Sequence, residues 1–182
     1  MKAAVLDATE NGCRLVDVIT NVLTQTSVSQ AYFRLKDMNI MPCRSCGACG
    51  TRTPGRCVQK DDMPQLLRSM AASRLLVYIT PVTFGGYSYQ LKKAIDRTMP
   101  LGEPFYMVKN GHLLHPMRYG EKTLLAIGLY DGGRQEEIEN FQLLVARNAM
   151  NMQSRYKTVI VSPNSGFDAM AKEMDAALRE VV

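Results

Sequence analysis

An open, doubly wound parallel sheet of the α/β class is what this 182-residue sequence predicts. Two patterns lead there. Five short apolar runs alternate with five stretches of helical periodicity, as a parallel sheet covered on both faces requires. The third run, "RLLVYIT" (74–80), is nearly all apolar, as a strand buried on both faces should be.

Taken in order, "KAAVLDAT" (2–9) reads as the first strand, and Leu15, Val18, Ile19, Val22 and Leu23 mark one face of the helix that follows. A second strand is expected near "SQAYFRL" (29–35). Beyond a cysteine-rich loop (41–60), Met63, Leu66, Leu67, Met70 and Ala71 repeat the helical spacing. Asp61 or Asp62 can cap that helix, and Pro64 suits its first turn. After "RLLVYIT", the stretch "PVTFGGY" (81–87) reads as a turn-rich loop, and a helix starts at Ser88. "KTLLAIGLY" (122–130) and "KTVIVS" (157–162) supply the last two strands. Ile138, Phe141, Leu144 and Val145 line the fourth helix; Phe167, Met170, Ala171, Met174, Leu178 and Val181 line the fifth.

The chain is expected to form one domain over 1–182, with the cysteine-rich loop and a second excursion, 100–121, as insertions. Asn110-Gly111 between apolar flanks marks a hairpin inside that excursion, suited to a lid or a subunit contact or simply to the surface. His112 and His115 fall there and read as packing or interface residues. In open α/β sheets, ligands sit beyond the carboxyl ends of the strands where strand order reverses. That draws attention to "TENGCR", "PVTFGGY" and "YDGGR".

Composition narrows the class. Hydrophobic residues make up 46% and charged residues 21%, values ordinary for a globular protein. No window approaches the ~18 consecutive apolar residues of a membrane span, and the sequence enters a strand without a leader-like stretch. A cytoplasmic location with reduced thiols is therefore expected. The net charge of +5 is scattered and forms no stripe for nucleic acid, although Arg44, Arg52, Arg56 and Lys60 gather at the cysteine loop.

That loop carries four of the five cysteines: Cys43, Cys46, Cys49 and Cys57, spaced Cys-x2-Cys-x2-Cys-x7-Cys. Zinc knots usually pair two Cys-x2-Cys units a dozen or more residues apart. Three cysteines in immediate succession suit a cubane iron–sulfur cluster better, because its iron corners lie around a larger body. Gly47, Gly50 and Gly55 permit the sharp turns of such a wrap. Redox-active free thiols are the alternative, with zinc third. Cys13, near the start of a helix, reads as a buried structural cysteine.

"MPCRSCGACGTRTPGRCVQKDDM" followed by "LLVYITPVTFGGYSYQLKKAIDR" resembles the flavodoxin-like NAD(P)H-dependent FMN reductases, and within them the iron–sulfur flavoproteins. The resemblance implies strand order 2-1-3-4-5, FMN, a [4Fe–4S] cluster on the four loop cysteines, and a homodimer or homotetramer. It implies NAD(P)H as a candidate donor and a redox protein or a small molecule as electron acceptor. Nucleic acid and membranes are not expected partners. Pro81, Val82, Thr83, Phe84, Gly85 and Gly86 would embrace the flavin ring, with Asp131, Gly132 and Gly133 on its other side. Glycines let the backbone approach, and Val82 and Phe84 can wall the ring. In the family, a longer first loop binds the FMN phosphate at a helix N-terminus. Here it is short: Thr9, Asn11, Gly12 and Arg14 remain as phosphate-side candidates, and Glu10 sets a carboxylate among them. FMN is accordingly expected to bind weakly. The competing reading is a metal- or redox-sensing protein on a flavodoxin scaffold that has lost FMN.

Overall fold

A computed structural model describes residues 1–10 and 14–181, Arg14 only as the first residue of a helix. Its elements are β1 (Lys2–Asp7), α1 (Arg14–Gln25), β2 (Ser29–Arg34), α2 (Met63–Ala72), β3 (Leu75–Thr83), β4 (Gly86–Tyr87), α3 (Tyr89–Ile95), β5 (Met107–Lys109), β6 (His112–Leu114), β7 (Thr123–Leu129), α4 (Gln135–Asn151), β8 (Arg155–Val161) and α5 (Phe167–Val181). Five strands form the parallel sheet β2-β1-β3-β7-β8, the expected order.

Strand alternation divides the core between two faces. Leu6, Leu76, Tyr78, Leu124 and Ala126 point toward α2, α3 and α4, where Met63, Leu91 and Phe141 meet them. Val5, Val77, Ile79, Leu125 and Ile127 point the other way, onto Leu15 and Ile19 of α1 and Met174 and Leu178 of α5. Helices therefore cover both faces of the central strand, whose residues Leu75 to Thr80 are all buried, which is why "LLVYIT" carries no polar alternation.

β1 pairs with β2 on one side and β3 on the other, with Val5 opposite both Tyr32 and Val77. Strand order thus reverses between β1 and β3, and the crevice beyond their carboxyl ends is the expected ligand position.

One expectation is corrected here. "PVTFGGY" is not a free loop: β3 runs on through Pro81, Val82 and Thr83 and folds back as a hairpin. The parallel ladder with β7 ends at Pro81 opposite Leu129, and Val82 and Thr83 then pair antiparallel with Tyr87 and Gly86. Phe84 and Gly85 form its two-residue turn, with φ of 49° and 75°, the left-handed pair that matches strand twist. The excursion does contain the expected hairpin, β5–β6, turning at Asn110-Gly111.

At the start of α2, the capping bond comes from Asp61. Its Oδ1 accepts the Met63 N–H at 3.1 Å, while Asp62 Oδ2 accepts the N–H of Asn39 at 2.8 Å.

Candidate functional site

Two groups of residues singled out by sequence lie at the carboxyl end of the sheet and beside it. The first surrounds the ends of β1, β3 and β7. Ala8 donates its N–H to the Ile79 carbonyl at 2.8 Å, tying the first loop to β3. Asp7 is fully buried; it accepts the Thr9 N–H at 2.8 Å and the Tyr32 hydroxyl at 2.5 Å. Burial, and then Asp7 as bond partner and as charge, raise the Tyr32 pKa, so the phenol remains a donor. Thr9 Oγ is buried and finds no partner among the described residues. Lys36 donates its ammonium to the Glu10 carbonyl. That cation, which sequence reasoning missed, lies at the loop because the chain continues from β2 into a 3-10 turn, Leu35–Asp37. Asn11, Gly12 and the Arg14 side chain lie outside the described residues, as does Cys13.

The β3–β4 hairpin brings Pro81 through Gly86 to the same end. Phe84 is 93% exposed in a left-handed conformation that costs a non-glycine residue free energy. Gly85 packs its bare backbone on α4: a Cβ there would lie 2.9 Å from the Asn140 Cβ. The hairpin tip therefore rests on the first turns of the helix that follows Asp131, Gly132 and Gly133. Tyr130 reaches across Gly133 to donate its hydroxyl to Glu137 Oε2 at 2.7 Å, leaving no room for a Cβ at that glycine. Asp131 Oδ1 accepts from the Asn164 amide at 2.8 Å. Ser88 donates its N–H to Thr80 Oγ at 3.0 Å, which closes the hairpin onto β3.

The second group is the cysteine loop. Cys43, Cys46, Cys49 and Cys57 line one pocket of about 570 Å³, together with Gln59, Met99, Glu103, Tyr106 and His115. Cys43 and Cys46 are exposed; Cys49 and Cys57 are half-buried. Ser45 and Gly47 take left-handed φ of 51° and 66°, turning the chain sharply between the first three cysteines. Gly50 N–H to Gly47 O (3.0 Å) and Gly55 N–H to Cys49 O (3.1 Å) fix the rest of the loop. Among the described residues, no three His, Cys, Asp or Glu side chains gather at a point where one metal ion would sit. The four thiols share one pocket and do not converge on a single point.

Arg97 joins this loop to the sheet. Its guanidinium is buried, 2% exposed, and donates to Cys57 Sγ at 3.3 Å, to the Met41 carbonyl at 3.0 Å and to both carboxylate oxygens of Asp61. Asp61 also accepts the Met41 N–H at 2.9 Å. Burial raises the Cys57 thiol pKa, but hydrogen bonds from Gln59 and Arg97 outweigh it and hold the thiol below its ordinary value. At Cys49, burial and then the neighbouring Cys57 push the thiol up. Arg44, Arg52, Arg56 and Lys60 are exposed around the loop, and none takes part in an ion pair among the described residues. His115 holds Nδ1 against the carbonyls of Glu103 and Phe105 (2.9 and 2.8 Å) and packs on Tyr106.

A doubly wound sheet with a glycine-bearing hairpin at its switch point, flanked by a four-thiol pocket, defines a flavodoxin-like scaffold with a cysteine-rich insertion. The model of the NADPH-dependent FMN reductase family matches residues 1–162, and the chain belongs to that family. An iron-sulfur flavoprotein of Methanocaldococcus jannaschii is 29% identical over 138 residues, 74% of this chain and 65% of that protein. Another, from Methanosarcina thermophila, is 34% identical over 76 residues, 42% of this chain and 39% of that protein. The alignments thus span about two thirds of the first relative and less of the second. Among solved structures, an NAD(P)H:quinone oxidoreductase from Methanothermobacter marburgensis superposes with a TM-score of 0.67, at 11% identity and 98% coverage of both chains. An azoreductase from Bacillus anthracis gives 0.64 at 14% identity, covering 99% of this chain and 96% of its own. At those identities the likeness is one of fold.

Proposed function

We propose that this protein is an FMN-dependent oxidoreductase that passes electrons between the flavin and a [4Fe–4S] cluster held by Cys43, Cys46, Cys49 and Cys57. The observation that carries the reading is the four thiols on one pocket, joined through one short helix to the β3–β4 hairpin. α3 begins at Tyr89, with Ser88 between it and that hairpin, and Asp96 and Met99, just beyond its end, line the thiol pocket. Seven residues of helix span about 10 Å.

The residues present suit both groups. Toward the flavin, Val82 and Phe84 offer apolar surface, and Gly85 and Gly86 bring backbone close. Asp131, Gly132 and Gly133 face the ring from the other side, while Thr9 offers on the phosphate side a buried hydroxyl without a partner among the described residues. Asn11, Gly12 and Arg14 belong to the same proposal. When bound, flavin exchanges a hydride or single electrons, and the cluster exchanges single electrons only. The protein's own part is to bind, orient and exclude water; no side chain need act as acid or base. NAD(P)H is the proposed donor, in keeping with the family description, and a redox protein or small molecule the acceptor. A homodimer or homotetramer in the cytoplasm completes the proposal. No helix among the described residues is long and apolar enough to cross a membrane.

The test is internal electron transfer. In anaerobic protein, light with a sacrificial donor reduces the flavin irrespective of the physiological donor. The paramagnetic signal of a reduced cluster should then appear as the flavin bleaches. A flavin that bleaches with no signal beyond its own, in protein shown to hold iron and sulfide, overturns the relay. Protein that binds iron and no flavin returns the case to the sensing protein.

A further inference from the structure

We infer that Arg97 is a positioning residue that sets the reduction potential of the centre bound at Cys57, with Asp61 as its opposing adjuster; this rests on the proposed cluster. Three observations carry it. Arg97 is the one buried cation among the described residues whose guanidinium touches a loop cysteine, through Nη2 to Cys57 Sγ at 3.3 Å. Nη1 donates to the Met41 carbonyl and to Asp61 Oδ2, and Nη2 donates also to Asp61 Oδ1, so the two-point bond to one carboxylate fixes the guanidinium plane. Asp61 is itself fixed, its oxygens accepting the N–H groups of Met41 and Met63, one on each flank of the loop. The exposed cations Arg44, Arg52, Arg56 and Lys60 are screened by water, whereas a buried guanidinium is not.

One-electron reduction of the centre adds one negative charge, with no bond made or broken and no proton moved. A buried N–H donor and positive charge at a ligand sulfur stabilise that added charge and raise the potential. Asp61 works against it: its carboxylate neutralises part of the guanidinium. The arrangement therefore predicts opposite signs for the two residues. A structural role for the pair predicts loss of cluster from both variants, with unchanged potential in whatever cluster remains.

The experiment uses protein purified and reconstituted anaerobically, with iron and sulfide assayed first. The cluster is then titrated with dithionite in mediator dyes and followed by paramagnetic resonance. Arg97→Lys keeps a charge for Asp61 but loses the second nitrogen. It should lower the reduced-to-oxidised ratio at a fixed ambient potential at least tenfold, about 59 mV for one electron. Asp61→Asn should move the potential upward, and it provides the test should Arg97→Lys fail to fold. Coincident potentials in wild type and variants overturn the inference and leave the cluster standing, as do shifts of the same sign. Wild-type protein without iron and sulfide overturns the inference and the proposed function together.

Discussion

The hydroxyl of Tyr32 donates to the buried carboxylate of Asp7 at 2.5 Å, joining the ends of β2 and β1 directly beneath the first loop. Among the described residues, the Asp7 carboxylate accepts one other bond, from the Thr9 N–H. A buried carboxylate with too few donors is costly, so Tyr32→Phe should destabilise the fold by about 1.5–3 kcal/mol, the range for a hydrogen bond to a charged group. Urea denaturation at neutral pH measures it. Asp7→Asn, which removes the charge together with the need for that donor, should reduce the cost of Tyr32→Phe in the double variant.

Phe84 sits at a turn position that favours glycine or asparagine, with nearly all its ring exposed. Phe84→Gly should relieve the strain and raise stability by up to about 1 kcal/mol. The same change removes an apolar wall from the proposed flavin site, so flavin affinity should fall as the melting temperature of the flavin-free protein rises. Gly85→Ala should lower stability, because its Cβ would crowd Asn140 and its φ of 75° disfavours a side chain.

The first loop carries opposed charges. Glu10 offers a carboxylate, and Lys36 offers an ammonium bonded to the Glu10 carbonyl. If the FMN phosphate lies between them, Lys36→Ala should weaken FMN and leave riboflavin nearly unchanged. Glu10→Ser should tighten FMN, by about 0.3–1 kcal/mol if the charge acts at a helix N-terminus, with a smaller gain for riboflavin. Calorimetric titration of flavin-free protein with both flavins checks the pair; equal effects on the two flavins would move the phosphate elsewhere.

Asp61 gives the fold an acid dependence. Burial raises its pKa, but the bonds from Arg97 and the Met41 and Met63 N–H groups outweigh burial and hold it below the ordinary carboxylate value. A carboxyl depressed on folding contributes stability that is present above its unfolded pKa and lost as pH falls through its folded one. Stability should therefore drop below the usual carboxylate range, pH ~4, and Asp61→Asn should flatten that drop. At neutral pH the variant should lose about 3–5 kcal/mol, the cost of leaving Arg97 buried without its partner charge. Denaturant midpoints across pH, with and without the substitution, measure both.

Much of the fold was legible because both core faces write themselves into the sequence as continuous apolar strands and amphipathic helices. Strand order followed from that alternation joined to the family resemblance. The hairpin at 81–87 was not legible. Pro81 and two glycines read as a loop, and only pairing of Val82 with Tyr87 converts the stretch into strand. The four-cysteine loop was visible in spacing alone, whereas the arginine bonded to Cys57 was not. Arg97 lies forty residues from Cys57, and no local pattern links an arginine at the end of one helix to a cysteine beyond another. Lys36 escaped for the same reason: its partner, Glu10, is brought to it by the pairing of β1 with β2.

The most direct measurement is the cofactor content of protein purified without oxygen. Iron, acid-labile sulfide and flavin are assayed per chain, beside a Cys46→Ser variant. The proposed function predicts about four iron and four sulfide per chain, as a [4Fe–4S] centre requires, together with flavin released as FMN. Cys46→Ser should lose most of the iron while keeping its far-ultraviolet circular dichroism. Wild-type protein holding neither iron nor flavin, or iron content unchanged by Cys46→Ser, would contradict it.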